Sequence, residues 1–340
     1  MRKRKFDSNL FLDRGGDGKL RRLRVAVIGV GHVGEYHVQK YAALPEAELI
    51  GVVDIDRERA RFIASRYDTK AYFSHEDILG QVDAVSIAVP TKDHFSIGLD
   101  VLSQGVHLLV EKPITDDVEQ AQRLIKEAAA RSLVLQVGHT ERFNPAVRVM
   151  QTMVNGPIFV ESHRLNPFTP RGTDVDVVLD LMIHDLDIIL NLVGSPIKEL
   201  HGVGMSVLTG KTDIANVRII FEDGAVANLT ASRVSNKTIR KLRIFQSDAY
   251  LSVDFAGKEL GVTRLGQANL GPEGFPQIVT SKMQFPDSDP MLSQIRSFLT
   301  AVLEGRSPEV SGEDGKRALW VAKNIIGQIE RGCKYFQTIC

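Results

Sequence analysis

Cysteine is almost missing from this chain. The two present, Cys333 and Cys340, both lie at its C-terminal end. They match no metal-ligand spacing and cannot build a disulfide framework, which fits a reducing, cytoplasmic setting. Long apolar runs are missing too. None approaches the roughly 20 residues that a membrane-crossing helix needs, so insertion into a bilayer is not expected. Net charge is absent: 42 Lys and Arg balance 42 Asp and Glu, which removes the global reason to expect nucleic acid or an acidic surface as partner. No internal repeat or low-complexity stretch interrupts the folded part. The one imbalance is local. Residues 1–24 carry nine basic residues against three acidic ones. Gly15-Gly16-Asp17-Gly18 cannot hold a helix, so residues 1–22 are expected to be a solvated, disordered leader. An arm for nucleic acid or a membrane surface is the sharper alternative. No apolar stretch follows it, so it does not read as a secretory signal.

The 340 residues, 43% of them apolar, suffice for two cores. From residue 23 to about 140, short apolar runs alternate with stretches of helical period. Strands are predicted at 24–29, 49–54, 84–88, 107–110 and 133–137, with helices at 34–44, 57–67, 95–104 and 117–131. Asp56 is placed to cap the second of those helices. This alternation predicts an α/β fold: an N-terminal Rossmann domain, 23–140, built on a parallel, doubly wound sheet. Beyond it the order changes. Helices are predicted at 144–155 and 175–193, strands at 158–164, 216–221, 225–232, 239–246, 250–255 and 259–264, and two closing helices at 291–304 and 315–331. Grouped strands imply a C-terminal α+β domain, 141–335, with a largely antiparallel open sheet. One face of that sheet lacks an obvious helical cover, which points to a homodimer or homotetramer.

The first predicted strand runs into Gly29-Val30-Gly31-His32-Val33-Gly34, and a helix follows. That context gives the glycines physical meaning. Gly29 allows the tight turn, Gly31 lets a pyrophosphate approach the backbone, and Gly34 lets helix and strand pack closely. The N–H groups of His32 and Val33 and the other free donors of the helix start suit phosphate oxygens. Asp54 ends the second strand, where its carboxylate would accept from adenosine ribose hydroxyls and repel a 2′-phosphate. NAD is therefore favoured over NADP, although Arg57 and Arg59 stand nearby. A glycine turn holding no ligand is the plain alternative.

Glu111-Lys112-Pro113 closes the apolar run 107–110, at a strand end that in an open α/β sheet faces the ligand crevice. Pro113 fixes the backbone direction beyond Lys112. By itself such a lysine is more often a surface residue. Val89-Pro90-Thr91 ends the neighbouring strand, and His94 follows, expected as a capping or packing residue first and a cofactor contact second. In Asp180-Leu181-Met182-Ile183-His184, acid and imidazole four apart share one helical face. A surface pair or a satisfied core histidine is the common reading of such a pair. Its apolar surroundings, 177–192, favour chemistry: a neutral imidazole accepts protons and a carboxylate orients it. Asp185 and Asp187 add local acid, but no third ligand stands at a metal-binding spacing, so no metal is expected.

Together Gly29–Gly34, Pro90-Thr91 with His94, Glu111-Lys112-Pro113 and Asp180 with His184 resemble the Gfo/Idh/MocA oxidoreductases, over about residues 23–335. The resemblance implies cofactor contacts from Gly29–Gly34, Asp54, Pro90, Thr91, His94, Glu111 and Lys112, with Lys112 as active-site lysine and Asp180 with His184 as the catalytic acid–histidine pair. Thr91 departs from the asparagine common in the family. Gly138-His139-Thr140-Glu141-Arg142-Phe143-Asn144-Pro145-Ala146 is similar to the members that oxidise a nucleotide sugar, in particular UDP-N-acetylglucosamine 3-dehydrogenases, which can feed an aminotransferase making a 2,3-diamino sugar for lipid A. On that reading Lys112, Arg142, Asn144, Arg164, Asp180 and His184 contact the sugar nucleotide. Arg164 and Arg171 would supply charge for its diphosphate, unless they lie on the surface. Arg142 and Asn144 could instead stabilise the junction between domains. The rivals are inositol, monosaccharide and trans-dihydrodiol dehydrogenases of the same family and, from another class, a non-catalytic NAD-responsive regulator.

Overall fold

The computed structural model describes residues 22–170, 172–173, 175–270 and 276–339. The leader expected over 1–22, Arg171 and Cys340 therefore lie outside the described residues, Arg22 excepted. The chain forms two compact units. The described part of the first comprises residues 22–111, Gln120–Gly138 and Met291–Ser311; the second comprises Lys112–Glu119, His139–Pro290 and the stretch from Gly312 onward. The linear division expected near residue 140 is thus crossed twice, by 112–119 and by 291–311. Contacts with residues distant in the chain, which no sequence window contains, decide those two assignments.

In the first unit the elements are β1 (Leu23–Ile28), α1 (His32–Ala43), β2 (Ala47–Val53), α2 (Arg57–Arg66), β3 (Lys70–Tyr72), α3 (Glu76–Leu79), β4 (Ala84–Ile87), α4 (His94–Ser103), β5 (His107–Glu111), α5 (Val118–Ala130) and β6 (Leu135–Gly138). The six strands pair in parallel in the order β3-β2-β1-β4-β5-β6. This is the doubly wound order whose reversal, between β1 and β4, opens a crevice at the carboxyl ends of the strands. Central strands covered on both faces need apolar residues at every position; accordingly Val25, Ala26, Val27 and Ile28 of β1 are all buried. The late helix α8 (Pro290–Glu304) adds Ile295, Phe298 and Leu299 to the core made by β1 and by Val38 and Tyr41 of α1. Asp56 caps α2 as expected, accepting from Glu58 N and Arg59 N.

The second unit holds α6 (Pro145–Gln151), β7 (Phe159–Leu165), α7 (Ile183–Val193), β8 (Ile197–Met205), β9 (Ile214–Phe221), β10 (Val226–Ser232), β11 (Ile239–Gln246), β12 (Ala249–Asp254), β13 (Glu259–Leu270), β14 (Pro276–Gln284) and α9 (Gly312–Ile339). Its eight-stranded sheet runs β14-β13-β12-β11-β7-β10-β9-β8, antiparallel throughout except for β7 with β10. The pattern of buried residues alternates along β7, β9 and β10, as one-sided cover requires. The α-helix expected from 175 is not continuous. A π-turn, Val178–Met182, precedes α7, and α7 closes on Gly194 in the left-handed conformation. Strands β3, β8 and β14 were not expected; β8 and β14 are the sheet's two edges, where the apolar alternation is weakest.

Asp213, fully buried, organises the connection between β8 and β9. One carboxylate oxygen accepts from the N–H groups of Val207, Leu208 and Thr209, and the other accepts from the Thr209 hydroxyl. Burial pushes its pKa up, but the Thr209 hydroxyl and the three amides outweigh that and hold it at about 2. The folded value lies below that of an unfolded aspartate. The stabilisation is therefore complete above about pH 4 and is lost as pH falls toward the folded value. Asp213→Asn is expected to cost roughly 2 kcal/mol at neutral pH and to flatten the acid limb of stability. Urea denaturation across that range checks both; an unchanged midpoint would reject this role for the charge.

Candidate active site

The first unit presents the glycine loop. Gly29 has a φ of 83°, and a Cβ there would lie 2.7 Å from Val89 Cγ1 and 2.8 Å from Ala88 O. A Cβ on Gly34 would sit 1.8 Å from Gly29 O, so α1 can pack on the turn only if both residues lack side chains. Gly31 is the N-cap of α1 and contributes no side-chain cap. It leaves the first-turn N–H groups, starting with His32 and Val33, available to an anion. His32 itself packs edge-on against Tyr36. Asp54 is held from two directions: one oxygen accepts from Val30 N in the loop at 2.9 Å, and the other accepts from Asp56 N. The carboxylate is therefore oriented beside the loop while keeping exposed surface. Arg57 stacks over Phe73, 4.7 Å from its ring centre, whereas Arg59 approaches Asp56 at 3.7 Å. A backbone cradle with a pre-oriented acid at the end of β2 fits a dinucleotide.

Pro90 and Thr91 lead from β4 into a short 3-10 turn, Thr91–Asp93. His94 is buried, with Nε2 donating to Val89 O at 2.9 Å. Glu111 ends β5. Its Oε1 accepts from His37 Nε2 at 3.1 Å and from Gln294 Nε2 at 3.4 Å. The register sets it opposite Gly138, where a Cβ would lie 2.4 Å from that oxygen. Gly138 thus makes room for the carboxylate, a function its sequence motif did not announce.

The next residue along the chain, Lys112, belongs to the second unit and is not a surface lysine. Its side chain is 19% exposed; Nζ donates to Asp180 O at 2.7 Å and stands 3.7 Å from Asp180 Oδ1. The π-turn carries Asp180 and leads directly into the first turn of α7, which carries His184. π-turns within helices recur at functional sites. Gly172 crosses close to Asp180: a Cβ there would be 3.3 Å from Oδ2. Arg233 anchors this crossing chain, donating to Gly172 O and Val175 O. The imidazole of His184 has lost basicity, first through burial, then through the positive charges of Lys112 and Arg164 and the nearby His139 and Arg240. It is a neutral ring at ordinary pH, with Nδ1 buried and bonded to nothing among the described residues.

Arg164 corrects the reading that gave it to a diphosphate or to the surface. It is buried, its Nε and Nη2 hold both oxygens of Asp185 at 2.9 and 2.8 Å, and Nη1 donates to Glu141 at 3.1 Å. Arg142, also buried, donates from Nε to Asp187 at 2.9 Å, with Asp314 at 3.5 Å from Nη2. Asn144 caps α6 by accepting from Ala146 N, and its amide reaches Glu141. Asp185, Asp187, Glu141, Arg142, Asn144 and Arg164 thus form charge and capping contacts inside the second unit. Removing one partner of such a buried pair strands the other. Two neighbours of His184 escaped the sequence reading of the site: His139, just after β6, and Arg240, within β11, a strand position that carries no motif. Among the described residues no group of three or more His, Cys, Asp or Glu suits a metal ion, and no helix is long and apolar enough to cross a membrane.

Comparison with known proteins agrees with this architecture. Residues 23–139 match the Gfo/Idh/MocA model described as an oxidoreductase family with an NAD-binding Rossmann fold, and residues 147–252 match the Gfo/Idh/MocA C-terminal domain. The UDP-N-acetylglucosamine 3-dehydrogenase of Acidithiobacillus ferrooxidans is 40% identical over 309 residues, covering 91% of this chain and 97% of that enzyme. A solved structure of that dehydrogenase superposes with a TM-score of 0.84 at 38% identity, covering 91% of this chain and 98% of the other. The myo-inositol 2-dehydrogenase of Thermotoga maritima is 26% identical over 87% of this chain and 93% of its own length. With both units matched and this relative covering nearly the whole length, the chain belongs to the Gfo/Idh/MocA oxidoreductases and carries their NAD-binding Rossmann fold.

Proposed function

We propose that the protein is an NAD-dependent dehydrogenase that oxidises a secondary alcohol of a sugar, namely the 3-hydroxyl of UDP-N-acetylglucosamine, giving the 3-keto sugar nucleotide. The observation that carries the chemistry is the close approach of Lys112 to Asp180, with the Lys112 charge acting on a neutral His184. The substrate assignment is supported by the 40% identical relative of that name. Bound NAD supplies the hydride acceptor. His184 takes the hydroxyl proton, for which a neutral imidazole is the required form. The Lys112 ammonium, held by the Asp180 carbonyl, stabilises the oxygen as negative charge develops on it. Asp180 fixes the lysine and offsets the charge of an imidazolium.

Asp54 supports NAD over NADP, since a carboxylate beside the ribose repels a 2′-phosphate. The 3-keto product is a substrate for transamination to a 2,3-diamino sugar of the kind used in lipid A, in a cytoplasmic setting. A second chain packed on the uncovered sheet face, where Phe245 is exposed beside Phe159 and Tyr250, fits a homodimer or homotetramer. The test is NADH formation on addition of UDP-N-acetylglucosamine, with myo-inositol, free N-acetylglucosamine and NADP as parallel arms. UDP-N-acetylglucosamine with NAD is expected to give the largest kcat/KM. Turnover of inositol alone would move the protein to the inositol dehydrogenases, and silence in every arm would favour the regulator.

A further inference from the structure

The cations around His184 differ in what neutralises them. Lys112 has Asp180, and Arg164 has Asp185 and Glu141. Arg240 has no carboxylate within ion-pair distance among the described residues. It stands on β11 directly opposite Arg164 of β7, so both side chains leave the sheet on the same face, the one on which Leu242 and Ile244 are buried. Two unbalanced arginines directly opposite each other oppose sheet stability; here Asp185 and Glu141 balance Arg164, and no carboxylate among the described residues pairs with Arg240. Among the described residues, the single hydrogen-bond acceptor of the Arg240 side chain is the neutral amide oxygen of Asn166, just past the end of β7. It accepts from Nε and Nη2, both at 3.4 Å, near the limit for such bonds. A guanidinium carries five N–H donors in a planar fork suited to two oxygens of one anion. Among the described residues three of these donors have no acceptor and two are held loosely. The group is half-buried, where a charge–anion contact is worth more than in open water. Its charge also reaches the reaction centre, as one of the influences that lower the basicity of His184 after burial, Lys112, Arg164 and His139.

We propose that Arg240 is a substrate-specificity residue that binds the diphosphate of the sugar nucleotide, with Asn166 orienting the guanidinium until the anion takes over its donors. The assignment rests on the sugar-nucleotide reading above. It moves the diphosphate contact from Arg164, whose donors are occupied, to the facing strand.

The experiment measures UDP affinity by calorimetry on the NAD-loaded enzyme, and steady-state kinetics with UDP-N-acetylglucosamine, for wild type, Arg240→Gln and Arg240→Lys. Loss of a charge-assisted contact is expected to weaken UDP binding and raise KM by roughly 10- to 100-fold in Arg240→Gln. The value of kcat should stay within about 3-fold, the pattern of an interaction common to ground and transition states. Arg240→Lys should recover part of the loss, a point charge replacing a fork. The NAD affinity and melting temperature of each variant separate this result from misfolding. Equal UDP affinity in wild type and Arg240→Gln, or no UDP binding to wild type, overturns the proposal. If UDP binding falls in Arg240→Gln while wild type turns over no UDP-sugar, Arg240 keeps its anion and the dehydrogenase substrate is what must change.

Discussion

Lys112→Met is expected to lower kcat by roughly 10²- to 10³-fold, the cost of removing one preorganised donor from a developing oxyanion, while NAD affinity and melting temperature stay near wild type. The dissociation of effects follows from where the contacts lie. The residues proposed to cradle the dinucleotide, Gly29, Gly31, Gly34 and Asp54, have their geometry fixed by β1, α1, β2 and β4 within the first unit. Lys112 contributes its side-chain contacts to Asp180 in the second. Methionine matches the length of the aliphatic stem, so packing is largely kept. Asp180 is 37% exposed and can be rehydrated when its lysine leaves. A further sign is fixed by charge: deleting Lys112 removes one of the influences that depress His184, so the acid limb of the residual activity moves up in pH. Steady-state NADH formation across pH, paired with NAD titration and a thermal melt, measures all four quantities. Retention of near wild-type kcat would remove Lys112 from the chemistry and with it the alkoxide step.

The sequence made the parts with local causes readable. A glycine loop between a strand and a helix, an acid at the next strand's end and a proline-bounded lysine after β5 each follow from backbone rules that act over a few residues. The parallel sheet of the first unit, the mostly antiparallel sheet of the second and the cap at Asp56 appeared where those rules put them. What escaped depended on distant partners. Nothing near Arg164 or Arg142 announces that Asp185, Glu141 and Asp187 will neutralise them inside the second unit. Arg240 sits in a strand whose periodicity gives its face but not its neighbour across the sheet. The segment around 291–304 reads as an amphipathic helix from its own residues; that it joins the core of the first unit is a choice made by Ile295, Phe298 and Leu299 meeting β1. The spacing of Asp180 and His184 was read as an α-helical face, whereas the π-turn changes the phase of the chain between them.

His184→Gln is the complementary test, because its effect is carried by pH as well as by rate. Loss of the proton acceptor should lower kcat/KM by roughly 10²- to 10⁴-fold. In wild type the imidazole is kept neutral first by burial and then by Lys112, Arg164, His139 and Arg240, so its folded-state pKa is well below 6.5. The base therefore stays competent below the pH at which a free histidine would be half protonated, and the acid limb of wild-type kcat/KM falls under about pH 6.5. Glutamine removes that limb. The same shift predicts stability. A histidine whose folded pKa is depressed binds fewer protons folded than unfolded, so stability is full above about pH 6.5 and declines as pH falls through the unfolded value. His184→Gln lacks this loss and should narrow the stability gap between neutral and mildly acidic buffer, as read by urea denaturation at two pH values. Glutamine offers no proton-accepting nitrogen but keeps a polar group of similar reach, so the fold of α7, anchored by the Arg164–Asp185 and Arg142–Asp187 pairs, should survive. Activity within 10-fold of wild type, with the acid limb unmoved, would show that another group takes the hydroxyl proton, and His139 would be the next residue to replace.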